Sequence, residues 1–197
     1  MIIVAGKSHI GVLALQGDVH EHQDAFQRAC AARGYDVEIV SVRKPSDIDG
    51  LDVLAFPGGE STTIMRLIDQ YGLRDPLTDF SGGYFATCAG MVALAKEVVE
   101  ETRYTPLSTF PYLVSRNAFG RQKESFQANI PIAGIDSPFC CVFIRAPIVV
   151  DPGAATVIGS LEQGAIALSY GKHMAFAFHP ELVSDTRLHE MFLDRLL

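Results

Sequence analysis

In the first hundred residues, short apolar runs halt at glycines and give way at once to helical spacing, an alternation that restricts the chain to an α/β sheet. Ile10 to Leu15 reads as a buried strand, closed by Gly17 and Asp18, and leads into a helix through Phe26, Ala29 and Cys30. Val37 to Val42 and Leu51 to Phe56 read as the second and third strands, the latter stopping at Pro57-Gly58-Gly59. The next helix carries Ile64, Leu67, Ile68 and Tyr71 at i, i+3, i+4 and i+7, with Ser61 or Thr62 placed to cap it. Tyr84 to Thr87 is a fourth strand, running through Cys88 into helical Met91 to Glu97. This repetition implies a three-layer αβα fold: a mostly parallel central sheet with helices on both faces, where ligands gather at the carboxyl ends of strands.

From about residue 104 the texture changes. Cys140 to Ile144, Ala165 to Ser169 and Ala175 to Phe178 are shorter β-like runs broken by Pro and Gly, and they read as antiparallel additions to the same domain. Ser184 opens a last helix with Leu188, Met191 and Phe192 on one face. No linker divides the chain, so residues 1–197 are expected to form one domain. A net charge of -7 without any basic run excludes a nucleic-acid surface. Met1 to Ala5 are apolar, but Gly6, Lys7, Ser8 and His9 interrupt them too soon for a signal segment or a membrane span. The four cysteines, at 30, 88, 140 and 141, lack the paired spacing of a zinc or redox site, which implies a reducing, cytoplasmic setting and no metal.

Cys88 lies in Ala86-Thr87-Cys88-Ala89-Gly90, where a sharp strand-to-helix turn would present a nucleophile over the sheet. Amides at a helix start favour negative charge on a cysteine placed there; the plainer reading is a small buried hydrophobe. His179-Pro180-Glu181 ends the strand Met174 to Phe178, since proline stops it. A histidine oriented by a carboxylate can take a thiol's proton and return it to a leaving amine, although such a pair is also ordinary surface polarity. Gly58-Gly59-Glu60-Ser61 is either a common turn or a loop whose close backbone approach stabilises an oxyanion, with the amides of Gly59 and Ala89 as donors. Arg116 and Arg145, amid apolar segments, each need a carboxylate partner from the protein or from a substrate.

Three patterns are set aside. Gly6-Lys7-Ser8 resembles the end of a P-loop, but Met1 stands where the first glycine belongs and the triplet precedes the first strand. Gly59-Glu60-Ser61-Thr62-Thr63 resembles a serine-hydrolase elbow, but Thr63 replaces its second glycine, which leaves Ser61 to capping or substrate contact. His20 and His22, two apart on a helix, point to different faces and cannot easily share a metal, so His20-Glu21-His22 reads as a solvated helix start.

Together these residues resemble the class I, triad-type glutamine amidotransferases, a flavodoxin-like fold. Gly58-Gly59-Glu60-Ser61-Thr62-Thr63, Arg116-Asn117-Ala118-Phe119-Gly120-Arg121-Gln122 and Phe143-Ile144-Arg145-Ala146-Pro147 narrow the resemblance to the family of glutaminase subunits of pyridoxal 5′-phosphate synthase. The resemblance implies a triad of Cys88, His179 and Glu181, with L-glutamine bound by Gly59, Glu60, Ser61, Arg116, Ile144 and Arg145. It implies no cofactor, pyridoxal phosphate being a product. The implied partner is the synthase's lyase subunit, which joins the released ammonia to ribose 5-phosphate and glyceraldehyde 3-phosphate; docking would order the loop near Gln16 and Gly59. The alternatives are the glutaminase subunit of another amidotransferase, such as imidazole glycerol phosphate synthase, a cysteine hydrolase or peptidase on a similar sheet, or a catalytically silent binding subunit. Two segments depart from the family pattern. Ala86 stands where the elbow usually has glycine, and Thr102 to Val114 match poorly, in a stretch expected to touch none of the site residues.

Overall fold

A computed structural model describes residues 7–116 and 125–197. Met1 to Ala5, Gly6 of the P-loop-like triplet, and Asn117 to Gln122 of the arginine-led segment lie outside the described residues.

The chain runs β1 (Ser8–Leu13), α1 (Val19–Arg33), β2 (Val37–Val42), β3 (Val53–Phe56), α2 (Ser61–Gln70), α3 (Arg74–Thr78), β4 (Gly83–Thr87) and α4 (Ala89–Leu94). Then follow β5 (Glu97–Val98), β6 (Leu113–Ser115), β7 (Ser125–Ile130), β8 (Phe139–Ile144), β9 (Ile148–Asp151), β10 (Thr156–Leu161), β11 (Gly164–Tyr170), β12 (His173–Phe176) and α5 (Arg187–Leu193). β2, β1, β3, β4 and β12 lie side by side and parallel, and β11, β9, β6 and β5 extend the sheet beyond them. β7 and β8 form a separate antiparallel pair.

β3 and β4 are buried along their whole length, as parallel strands covered on both faces must be. α1 turns His22, Ala25, Phe26, Ala29 and Cys30 inward, a stripe at i, i+3, i+4, i+7 and i+8. It packs beside α5, whose Phe192 and His189 meet Phe26 and Phe85 edge-on or stacked. α2 lies beside α4, which rests on β3, β4 and β12. Gly90 permits that close seat, because a Cβ there would run into the Phe56 carbonyl.

Four expectations change. β12 joins the main sheet parallel to β4 and is antiparallel only to β11, so the late strands are not all antiparallel additions. α4 ends at Leu94, three residues early, because Ala95 takes an extended ψ of 154° and Glu97 pairs with Leu113. The cap of α2 is Glu60, whose carboxylate accepts the Thr63 amide at 2.8 Å; Ser61 is the helix's first residue instead. β1 begins at Ser8 and stops at Leu13, so the Lys7-Ser8 pair enters a strand where a P-loop would leave one.

The candidate active site

β1, β3, β4 and β12 are adjacent and parallel, so the loops at their carboxyl ends converge. Those loops carry Gln16 to Asp18, Pro57 to Glu60, Cys88, and His179 to Glu181. β1 has β2 on one side and β3 on the other, which makes this the place where the winding reverses and a crevice opens.

Cys88 occupies φ 47° and ψ -107°, backbone angles that side chains rarely adopt. Two hydrogen bonds hold the turn. Its own amide donates to Phe176 O at 2.8 Å, and Val92 N reaches back to Cys88 O at 3.2 Å. Sγ lies 3.7 Å from the Ile144 carbonyl. The amide of Ala89, first in its helix, has no intrahelical acceptor, and Ala89 lines the same crevice.

His179 follows β12 by three residues, with its amide tied to Val142 O at 2.9 Å. Its Nδ1 is 2.7 Å from Glu181 Oε1 and 3.2 Å from Asp18 Oδ2. Burial opposes charge on this imidazole, but hydrogen bonds to Asp18, Cys88 and Glu181 outweigh it and hold the ring well above the usual histidine range. Glu181 is buried, which would raise its pKa; His22 and His179 overcome that and hold the carboxyl below the usual carboxylate range. Asp18, His179 and Glu181 offer ligand atoms within 4.8 Å of one another. Their mutual hydrogen bonding explains the cluster without a metal.

A cavity of about 270 Å³ opens over the sulfur. Of the residues expected from the sequence, Cys88, Ala89, Gly59, Glu60, Ser61, Arg116, Ile144, Arg145 and His179 all line it, and Glu181 stands behind His179. Gly59, at φ 150°, packs against Gln16, whose Oε1 accepts the Glu60 amide at 2.7 Å. Arg116 meets Glu60 at 3.0 Å and Glu101 at 2.5 Å, so one of the two lone arginines has protein partners. Arg145 is exposed on the rim and forms no ion pair among the described residues. Hydrogen bonds from Thr62 and Thr63 outweigh burial at Glu60 and lower its pKa to about 2.

Two expectations fail here. Tyr104 donates its hydroxyl to Ser61 Oγ at 3.0 Å, and Arg103 braces Glu101 beside Arg116, so the poorly matching segment does touch the site. His22 is not solvated: it is fully buried, with Nε2 2.9 Å from Thr87 Oγ1. Its place at the head of the inward stripe of α1 was a signal available in the spacing, as it precedes Ala25, Phe26, Ala29 and Cys30. Asp18 and Val92 also line the cavity without having been singled out as site residues.

His189 lies beyond His22, wholly buried, and neither ring nitrogen has a partner among the described residues. Burial pushes its pKa down to about 3, from an ordinary value of roughly 6.5. The unfolded chain protonates it over that interval and the folded chain does not. Stability is therefore fully present above pH of about 6.5 and falls as pH drops toward about 3, by up to about 1.4 kcal/mol per pH unit. His189→Phe removes that slope. Melting curves at pH 7.5 and pH 5 should show the variant's advantage growing at the lower pH; an equal difference at both contradicts the buried neutral state.

Comparison with known proteins finds relatives along nearly the whole chain. The model of the SNO glutamine amidotransferase family matches residues 12–197. A pyridoxal 5′-phosphate synthase subunit PdxT of Methanospirillum hungatei JF-1 is 50% identical over 195 residues, covering 98% of this chain and 100% of the relative. The protein of the same name from Methanosphaerula palustris is 55% identical over 189 residues, 95% of this chain and 96% of its own. A crystal structure of a glutamine amidotransferase superimposes with a TM-score of 0.85 at 41% identity, covering 95% of this chain and 98% of that one.

Proposed function

The chain belongs to the SNO glutamine amidotransferase family, and from that premise we propose that it is the glutaminase subunit of a pyridoxal 5′-phosphate synthase, acting in vitamin B6 biosynthesis. It hydrolyses L-glutamine to glutamate and ammonia and passes the ammonia to a synthase subunit. The observation that carries this reading is the cavity in which the elbow cysteine and its histidine, backed by the Glu181 carboxylate, meet the residues proposed to bind glutamine.

The Cys88 sulfur attacks the side-chain carboxamide carbon of glutamine, and the thiol's proton passes to His179. The negative charge that develops on the carboxamide oxygen is met by the amides of Ala89 and Gly59. The carbon–nitrogen bond then breaks, His179 returns its proton to the departing nitrogen, and ammonia leaves a thioester on Cys88. Water, deprotonated by His179, attacks that thioester; glutamate departs and the thiol is restored. Glu181 keeps Nδ1 of His179 protonated and its Nε2 turned to the sulfur. Arg116 and Arg145 supply cationic partners for the substrate's α-carboxylate.

Free ammonia at neutral pH is mostly ammonium and a poor nucleophile, which favours delivery within a complex. The partner is the lyase subunit of the synthase, joining ammonia to ribose 5-phosphate and glyceraldehyde 3-phosphate in the cytoplasm, a compartment in keeping with four free cysteines. No described helix is long and apolar enough to cross a membrane. Docking acts on the Gln16–Glu60 latch beside Gly59 and completes the oxyanion donors. Glutamate release measured with and without the synthase subunit tests this: the complex should turn over faster, and equal rates contradict it.

A further inference from the structure

Glu181 is met by more than His179. β4 brings Thr87 Oγ1 to 3.5 Å from Glu181 Oε1. α1 brings His22 Nε2 to 2.9 Å from Thr87 Oγ1 and 3.4 Å from Glu181 Oε1. All three side chains are buried. The hydrogen-bond directions follow from which groups can donate. An ionised carboxylate only accepts, so the Thr87 hydroxyl gives its single proton to Glu181 and can receive one only from His22. The chain reads His22 Nε2–H to Thr87 O–H to Glu181 Oε1, with His179 Nδ1–H arriving at the same oxygen from the other side at 2.7 Å.

The first turn of α1 reaches both members of the His–Glu pair. Asp18, at the helix start, faces His179 Nδ1 at 3.2 Å, and its carbonyl accepts the amide of His22. One turn on, His22 faces Glu181.

We infer that His22 is a positioning residue of the glutaminase reaction: through Thr87, and directly, it fixes the Glu181 carboxylate against His179 Nδ1. The inference rests on the reading of Cys88, His179 and Glu181 as the triad. Without His22 the Thr87 hydroxyl is free to turn away, and a carboxylate whose Oε2 has no partner among the described residues loses part of its remaining anchorage. His22 and His179 both lower the Glu181 pKa against burial. The ionisable groups around the carboxylate are His22 and Asp18 from α1 and its entry, His179 from the same turn, and His189 from α5. His189 feels Arg28 and Asp185 in turn.

Two substitutions in the full chain, assayed with its synthase subunit, test the role. His22→Leu keeps the volume and removes the donor, whereas His22→Gln can place an amide donor near the former Nε2. His22→Leu should lower kcat by about tenfold to a hundredfold, as loss of an orienting partner commonly does, with KM for glutamine little changed. Its acid limb in kcat/KM should move to higher pH, since a less well held carboxylate protonates more readily. His22→Gln should restore most of the rate and the native limb. Rates are taken per active site, counted by a glutamine-like electrophile that alkylates Cys88. If both variants melt lower but keep native kcat and pH profile per active site, His22 only packs, and the inference is overturned. Should His22→Leu fail to fold, Thr87→Val cuts the same chain with the same volume; native kcat and pH profile there overturn it equally. Activity surviving in Cys88→Ala would instead sink the triad reading itself.

Discussion

Replacing Cys88 by alanine should remove glutamine hydrolysis, by at least about a thousandfold, and leave the chain folded. The loss is expected to be large because no other cysteine lines the cavity to form the thioester, and without it His179 and the amides proposed to meet the oxyanion have no bond to act on. Folding survives because the sulfur contributes little to the core. It is slightly exposed beside the cavity, and its polar contacts are a long one to the Ile144 carbonyl and the one it shares with His179. Removal of a single such atom costs on the order of 1 kcal/mol. The turn at φ 47° is held by the bonds of the Cys88 and Val92 backbones, which alanine retains. Glutamate release and a thermal melt on the same sample read both halves of the expectation. A folded variant that still hydrolyses glutamine refutes the nucleophile.

Glu181→Gln should cost about a hundredfold to ten-thousandfold in kcat, the scale seen when the carboxylate of a triad becomes an amide. Shape is conserved, so the loss is one of charge and proton placement. If the amide presents its NH₂ to His179, Nδ1 must accept and the proton moves to Nε2, where it blocks uptake of the thiol proton. If it presents its oxygen, the tautomer survives but the anion that stabilises imidazolium is gone. Asp18, 3.2 Å from the same Nδ1, remains as a second partner of the ring and keeps the loss smaller than at Cys88. The pH profile separates this from simple damage. His179 is raised by Asp18, Cys88 and Glu181 against burial, so withdrawal of the Glu181 part lets the imidazolium give up its proton at lower pH. A variant with native kcat and an unchanged profile would mean that Glu181 does not orient His179.

Local pattern revealed the strand–helix alternation and the turns where chemistry is possible, because a glycine-rich stop, a cysteine after an apolar run and a His-Pro-Glu step are all visible within a few residues. Pairing at long range was not visible. That β12 lies parallel to β4, some ninety residues earlier in the chain, depends on what its two edges meet, and no periodicity within Ala175 to Phe178 encodes that. The burial of His22 escapes a local reading for the same reason. Spacing placed it on the inward stripe of α1, but a polar side chain there makes sense only once Thr87 and Glu181 are known to lie opposite. Tyr104 and Glu101 sit in an irregular segment with no period to read, and their contacts with Ser61 and Arg116 follow from the return of the chain beside those residues. At the start of α2, three polar residues compete for the cap; the reach of a glutamate and its bond to Arg116 decide for Glu60 over Ser61.

The central claim is that nitrogen released at Cys88 enters pyridoxal phosphate, and glutamine labelled with ¹⁵N in the side-chain amide tests it most directly. The chain and its synthase subunit are supplied with that glutamine, ribose 5-phosphate and glyceraldehyde 3-phosphate, and the product is weighed by mass spectrometry. Pyridoxal 5′-phosphate carrying the label, formed with the native chain and absent with Cys88→Ala, is the expected result. Glutamine hydrolysed at the same rate with no labelled pyridoxal phosphate would contradict it.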